Sequence, residues 1–133
     1  MKLSCSKVLL LFIVPCLTLF FACKKEPGTG GLATIKGRVY AYDVNDFGNK
    51  LDSGYYGGVR VYISYGDNTG VDDDVRTDFE GRYEFRWLQP GSYKVWVLSD
   101  CNTCTLLQTQ DLELVNVNKK REEVQVRDLI YQF

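Results

Sequence analysis

From Leu32 onward the apolar residues recur at every second position, and a period of two confines the chain to half-buried β-strands. In the run from Ile35 to Ala41, one face carries Ile35, Val39 and Ala41. Val59, Val61 and Ile63 mark a second strand; Tyr83, Phe85 and Trp87 mark a third; Tyr93, Val95 and Val97 mark a fourth. Leu112-Glu113-Leu114 and Val124-Gln125-Val126 add two more, and a short stretch at Asp74-Val75-Arg76-Thr77 makes a seventh. No segment carries a helical stripe, and Gly, Asp, Asn and Pro punctuate the gaps. A strand with one apolar face must cover that face. About seven such strands therefore predict an all-β domain over residues 32–133, built as a single antiparallel β-sandwich of two facing sheets.

Residues 1–22 follow another pattern. Lys2 and Lys7 are the only charges, and the fifteen residues between Lys7 and Cys23 are almost all apolar. That run is shorter than the roughly 20 residues a helix needs to span a bilayer, and Pro15 interrupts it. A positive start, a short apolar middle and small Ala22 at its end make a secretory signal peptide. The closing Leu19-Phe20-Phe21-Ala22-Cys23 resembles the lipobox of bacterial lipoproteins, with Phe20 where an aliphatic residue is usual. The resemblance implies cleavage before Cys23 and acylation of that cysteine, as with palmitate. Two or three acyl chains hold a protein on a membrane stably, since each buried methylene contributes about 0.8 kcal/mol. Residues 23–31 then read as the lipidated cysteine and a flexible tether. Its part Lys24-Lys25-Glu26-Pro27-Gly28-Thr29-Gly30-Gly31 has no large apolar residue and extends to about 29 Å at most. Lys24-Lys25-Glu26 beside the cysteine loosely resembles the surface-export signals of Bacteroidota lipoproteins, and no Asp follows Cys23, so the outer membrane is the expected address.

Turn chemistry sharpens the reading of the domain. Asp78-Phe79-Glu80-Gly81 suits a tight turn, and Pro90-Gly91 has the order of a type II turn. Gly37-Arg38-Val39, then Gly57-Gly58-Val59-Arg60-Val61, then Thr77 to Phe85, then Leu88-Gln89-Pro90-Gly91-Ser92-Tyr93-Lys94-Val95 follow in that order. The succession resembles the carboxypeptidase regulatory-like, or transthyretin-like, β-sandwich family over about residues 33–131, most closely at 77–97. The resemblance implies a prealbumin-like sandwich of seven strands with no catalytic residues of its own.

Composition narrows the chemistry. There is no His, which removes the commonest general base and the commonest neutral metal ligand. Sixteen basic against seventeen acidic residues leave no basic footprint for nucleic acid. Of the five cysteines, Cys5 and Cys16 lie in the signal segment. Cys101-Asn102-Thr103-Cys104 reads as a local disulfide in an exported chain, closing a loop worth about 2 kcal/mol; free thiols are the alternative. A redox role would need a helix N-terminus at Cys101, and zinc would need further ligands. The acidic stretch with Asp67, Asp72, Asp73 and Asp74 has the oxygen ligands calcium takes, without the EF-hand order; a solvated hairpin loop is the simpler reading. Tyr40, Tyr62 and Trp96 point away from the core by alternation, so an aromatic face for sugar rings is a candidate beside ordinary cross-strand pairing. Tyr55 and Tyr56 would rim it. No two of the acidic residues stand out as a catalytic pair.

The expectation is therefore a non-catalytic outer-membrane lipoprotein, an accessory binding or structural module of the cell envelope, without cofactor unless the acidic loop takes calcium. Its partners would be the membrane, through the lipid, and an envelope protein or glycan. A glycan-binding accessory protein is the first alternative. An enzyme with an unrecognised carboxylate site is the last.

Overall fold

A computed structural model describes residues 26–100 and 108–133. Cys23, Cys101 and Cys104 lie outside them, so the lipidation site and the disulfide expectation are not addressed by the fold. The described residues form nine strands: β1 Thr29–Val44, β2 Lys50–Tyr55, β3 Arg60–Tyr65, β4 Asp73–Arg76, β5 Arg82–Leu88, β6 Gly91–Asp100, β7 Gln108–Val117, β8 Glu123–Gln125 and β9 Leu129–Gln132. No helix occurs among them.

The strands make two sheets packed as a sandwich. Long β1 is the spine of the first, paired antiparallel with β2 and β5 and parallel with β8 and β9. The second runs β4-β3-β6-β7, antiparallel throughout. The core lies between them. Ile35 and Val39 of β1, Phe85 of β5 and Leu129 of β9 face Val61 and Ile63 of β3, Val95 and Val97 of β6, and Val115 of β7, all buried. All-β class and sandwich architecture are thus as the alternation predicts, with nine strands where seven were expected. The two additions are β2 and β9.

Trp87 departs from its expected place. The alternation puts it in the core beside Tyr83 and Phe85, yet it is 62% exposed, while Leu88 is buried at 1%. Its backbone has φ 62°, the left-handed region, which costs an L-residue about 1–2 kcal/mol. One left-handed residue shifts the register of β5 on β1 between Ala33 and Ile35 and turns the indole to the outer face.

The sandwich also begins before Leu32, where composition placed the end of the tether. Strand β1 starts at Thr29. Gly28 donates its N–H to the Tyr93 hydroxyl at 3.1 Å and accepts from the N–H of Gln89 at 2.8 Å. Pro27 packs so closely on Gly91 that a Cβ there would lie 2.6 Å from the proline Cγ. The Asp78–Gly81 turn is as expected. Asp78 Oδ1 accepts from the N–H groups of Glu80 and Arg82 at 2.9 Å each, and Gly81 sits at φ 74°.

Candidate functional site

The outer face of the four-stranded sheet carries the aromatic candidate. Strand alternation that buries Val61, Ile63, Val95 and Val97 must turn Tyr62 and Trp96 outward. Register then makes them neighbours. Tyr62 is paired with Trp96 across β3 and β6, Trp96 with Leu112 across β6 and β7, and Tyr62 with Asp74 across β3 and β4. Asp74, Tyr62, Trp96 and Leu112 thus form one row across four strands. The two rings lie 5.8 Å apart between centroids and 25° from parallel, an offset stack. In the next row, Lys94 is opposite Leu114, which is 68% exposed.

Polar groups frame this apolar stripe. Arg60 Nη1 lies 3.4 Å from the Asp74 carboxylate on one side. On the other, Lys94 Nζ donates to the Asn68 carbonyl at 2.8 Å. An aromatic and aliphatic strip bordered by a guanidinium, a carboxylate and an ammonium can cover the apolar face of a sugar ring and hydrogen-bond its hydroxyls.

Tyr40 does not belong to this surface. It lies on β1, in the other sheet, and faces the opposite side of the sandwich from Tyr62 and Trp96. There it makes edge contacts with Tyr42 at 5.4 Å and Tyr55 at 5.3 Å, and its hydroxyl is 3.2 Å from Ser53 Oγ. The Arg38 guanidinium carbon stands 3.5 Å over the Tyr55 ring, and Lys50 Nζ 3.5 Å over that of Tyr42. These rings are committed to one another and to two cations. Alternation separates inside from outside but says nothing of which sheet a strand joins, so it does not place Tyr40 with Tyr62 and Trp96. Tyr56 is elsewhere again, 4.8 Å from Phe133.

The acidic loop is closed by its own carboxylates. Asp72 Oδ2 accepts from the N–H of Tyr65 at 2.7 Å and from Asn68 Nδ2 at 2.9 Å. The Tyr65 N–H, then the Asn68 amide, hold the Asp72 carboxyl below its usual range. Asp73 accepts from the N–H of Asp74, and Asp74 faces Arg60. No group of three or more acidic or thiol ligands placed to hold a metal ion occurs among the described residues.

A concavity of about 570 Å³ lies where Lys36, Arg38, Arg82 and Glu84 meet Arg76 of β4. Its cations are already engaged. Lys36 pairs with Glu123, Arg82 with Asp78 and Glu80, and Arg38 and Arg76 donate to the carbonyls of Glu80 and Gly58.

No family model matches the chain. No curated protein matches it either. Among solved structures, a crystal structure from Pseudomonas aeruginosa described as "a putative carbohydrate binding protein" aligns at a TM-score of 0.48 and 14% identity, covering 77% of this chain and 90% of that one.

Proposed function

We propose that the chain is a non-catalytic lipoprotein of the cell envelope, moored through Cys23 to the outer membrane. Its sandwich is a binding module, and its ligand surface is the outer face of the four-stranded sheet. The observation that carries the binding surface is the stack of Tyr62 on Trp96 in a single row with Leu112 and Asp74. Half-exposed aromatic surface beside hydrogen-bonding groups favours a ligand with an apolar face and polar rim, and a glycan has both. Two packed sheets supply the platform. The anchor rests on the sequence: Cys23 follows Ala22 at the end of the apolar run.

The test is a glycan screen read by tryptophan emission, with Trp96→Ala as control. A binding glycan shifts the emission of the natural chain, and Trp96→Ala weakens its affinity about tenfold or more, the equivalent of 1.4 kcal/mol. Full affinity in the Trp96→Ala chain rejects this surface. If no glycan binds, the module is a scaffold for an envelope protein, and crosslinking from the same face identifies the partner. Mass spectrometry of the mature N-terminus reads the acyl groups.

A further inference from the structure

We infer that Trp87, Leu32 and the turn Asn118–Arg121 form a membrane-contacting surface that seats the sandwich on the bilayer holding the Cys23 lipid. The inference rests on the proposed acylation of Cys23. It begins from Trp87, whose positive φ no other non-glycine residue shares among the described residues. A strained backbone persists where surrounding structure enforces it, and strain of this kind collects at functional positions. Here the strain exposes an indole. Phe85 and Leu88, on either side, are buried, and a strand kept in simple alternation would have buried position 87 as well.

The surroundings name the occupant. Leu32, 50% exposed, adjoins Ala33, and Ala33 is the β1 partner of Leu88. Two apolar side chains thus stand in water at one end of the five-stranded sheet. That end is also where the N-terminal segment joins the fold. Gln89, two residues after Trp87, donates its N–H to the Gly28 carbonyl, and Pro27 packs on Gly91. Cys23 precedes Pro27 by four residues, a span of about 14 Å at full extension. With Pro27 and Gly28 docked, the tether keeps only half the reach its composition suggests. Acyl chains on Cys23 therefore hold this end of the sandwich at the lipid surface.

Charge agrees. The turn between β7 and β8 projects from the same end, because Val117 is the register partner of Gly91 and Glu123 that of Thr34. It presents Lys119, Lys120 and Arg121, all exposed and outside the salt bridges among the described residues. Against them stands one carboxylate of the turn, Glu122, which accepts from the Asn118 and Lys119 N–H groups and attracts Lys119, so the turn keeps a net positive charge. Cations near anionic headgroups and an indole at headgroup level are how proteins rest on a bilayer. Asp67, Asp72 and Asp73 lie at this end too, but they flank the other sheet, so the seat is one-sided. It leaves Trp96, three residues up β6 from Tyr93, about 10 Å further along the strand and clear of the lipid.

The acylated chain, purified from membranes, is reconstituted into phosphatidylethanolamine–phosphatidylglycerol vesicles carrying brominated lipid. Trp96→Phe leaves Trp87 as the sole indole. The Trp87→Phe chain, subtracted from the natural one, gives the same signal without altering Trp96. Trp87 emission is expected to move to the blue and be quenched by bromine near the headgroups. Unquenched Trp87 in a chain whose Cys23 is acylated by mass spectrometry overturns the seat and leaves the anchor standing. An unacylated Cys23 overturns both. A blue shift that grows with protein concentration in the absence of lipid assigns Trp87 to a second copy of the chain and also overturns the seat.

Discussion

Arg127 grips Asp111 in a two-pronged pair, Nη2 to Oδ1 at 2.7 Å and Nη1 to Oδ2 at 2.8 Å. Asp111 is on β7 of the four-stranded sheet, and Arg127 lies between β8 and β9 of the other, so the pair clasps the two sheets at one edge. Arg127 Nε adds a 2.7 Å bond to Glu113, and the N–H of Ile130 donates to Asp111 at 2.6 Å. Bidentate, charge-assisted bonds are the strong kind, but both partners remain partly exposed and solvent screens them. Arg127→Ala should therefore cost about 1–2 kcal/mol in denaturant unfolding.

The same pair sets part of the acid response. The Arg127 bonds, then the Ile130 N–H, hold the folded Asp111 carboxyl below its usual range. A carboxyl with a depressed folded pKa stabilises fully above its unfolded value, about 3.9, and the contribution drains as pH falls through the lower folded value. Melting temperature should fall on acidification below about pH 4. In Asp111→Asn that acid limb should be shallower. An unchanged limb would show that other carboxyls carry it; Asp72, Asp78 and Glu122, each lowered by backbone N–H donors, and Glu123, lowered by Lys36, are available.

Tyr83 offers a gain rather than a loss. It is 4% exposed, its hydroxyl has no hydrogen-bond partner among the described residues, and burial pushes its pKa up. An unsatisfied buried hydroxyl costs about 1–3 kcal/mol. Tyr83→Phe should keep the ring packing and raise stability by about 1 kcal/mol. The ring lies over Gly37, its register partner, where a Cβ would fall 2.7 Å from the ring Cζ. Gly37→Ala should destabilise the fold by about 1–3 kcal/mol through overpacking. A Gly37→Ala chain melting with the natural one would remove the contact.

Where the core was legible, it was legible through alternation, which places Ile35, Val39, Val61, Ile63, Val95 and Val97 inside. Strand β2 escaped because Lys50–Tyr55 is nearly all exposed and buries no alternating face. Strand β9 escaped because Leu129, Ile130 and Tyr131 are apolar in succession, so no period shows. The outward turn of Trp87 depends on a single backbone angle, and the separation of Tyr40 from Tyr62 on which sheet each strand joins; neither leaves a mark in spacing. The Tyr62 and Trp96 pairing is half legible: alternation turns both outward, but their adjacency needs the register of β3 on β6.

Phe85 and Trp87 make a direct comparison. Phe85 is 3% exposed in the core, so Phe85→Ala should cost about 3–5 kcal/mol, and Phe85→Asp should unfold the domain. Trp87→Gly removes an exposed ring and relieves the left-handed backbone, against a glycine entropy penalty of about 0.5–1 kcal/mol. Its unfolding free energy should lie within about 1 kcal/mol of the natural chain. A loss as large as that of Phe85→Ala would return Trp87 to the core.

The acidic loop ties up its own carboxylates. Asp72 spends its carboxylate on the Tyr65 N–H and the Asn68 amide, while Asp73 caps the N–H of Asp74. Oxygens already accepting donors would have to surrender them to bind a cation, and calcium wants six to eight oxygens around it. A melt with calcium should therefore match a melt with chelator. Asp72→Ala removes the acceptor that closes the loop and leaves the Tyr65 N–H to water, so it should lower stability by about 1 kcal/mol, equally with and without calcium. A midpoint raised by calcium in the natural chain and unmoved in Asp72→Ala would show instead that the loop opens to take the ion.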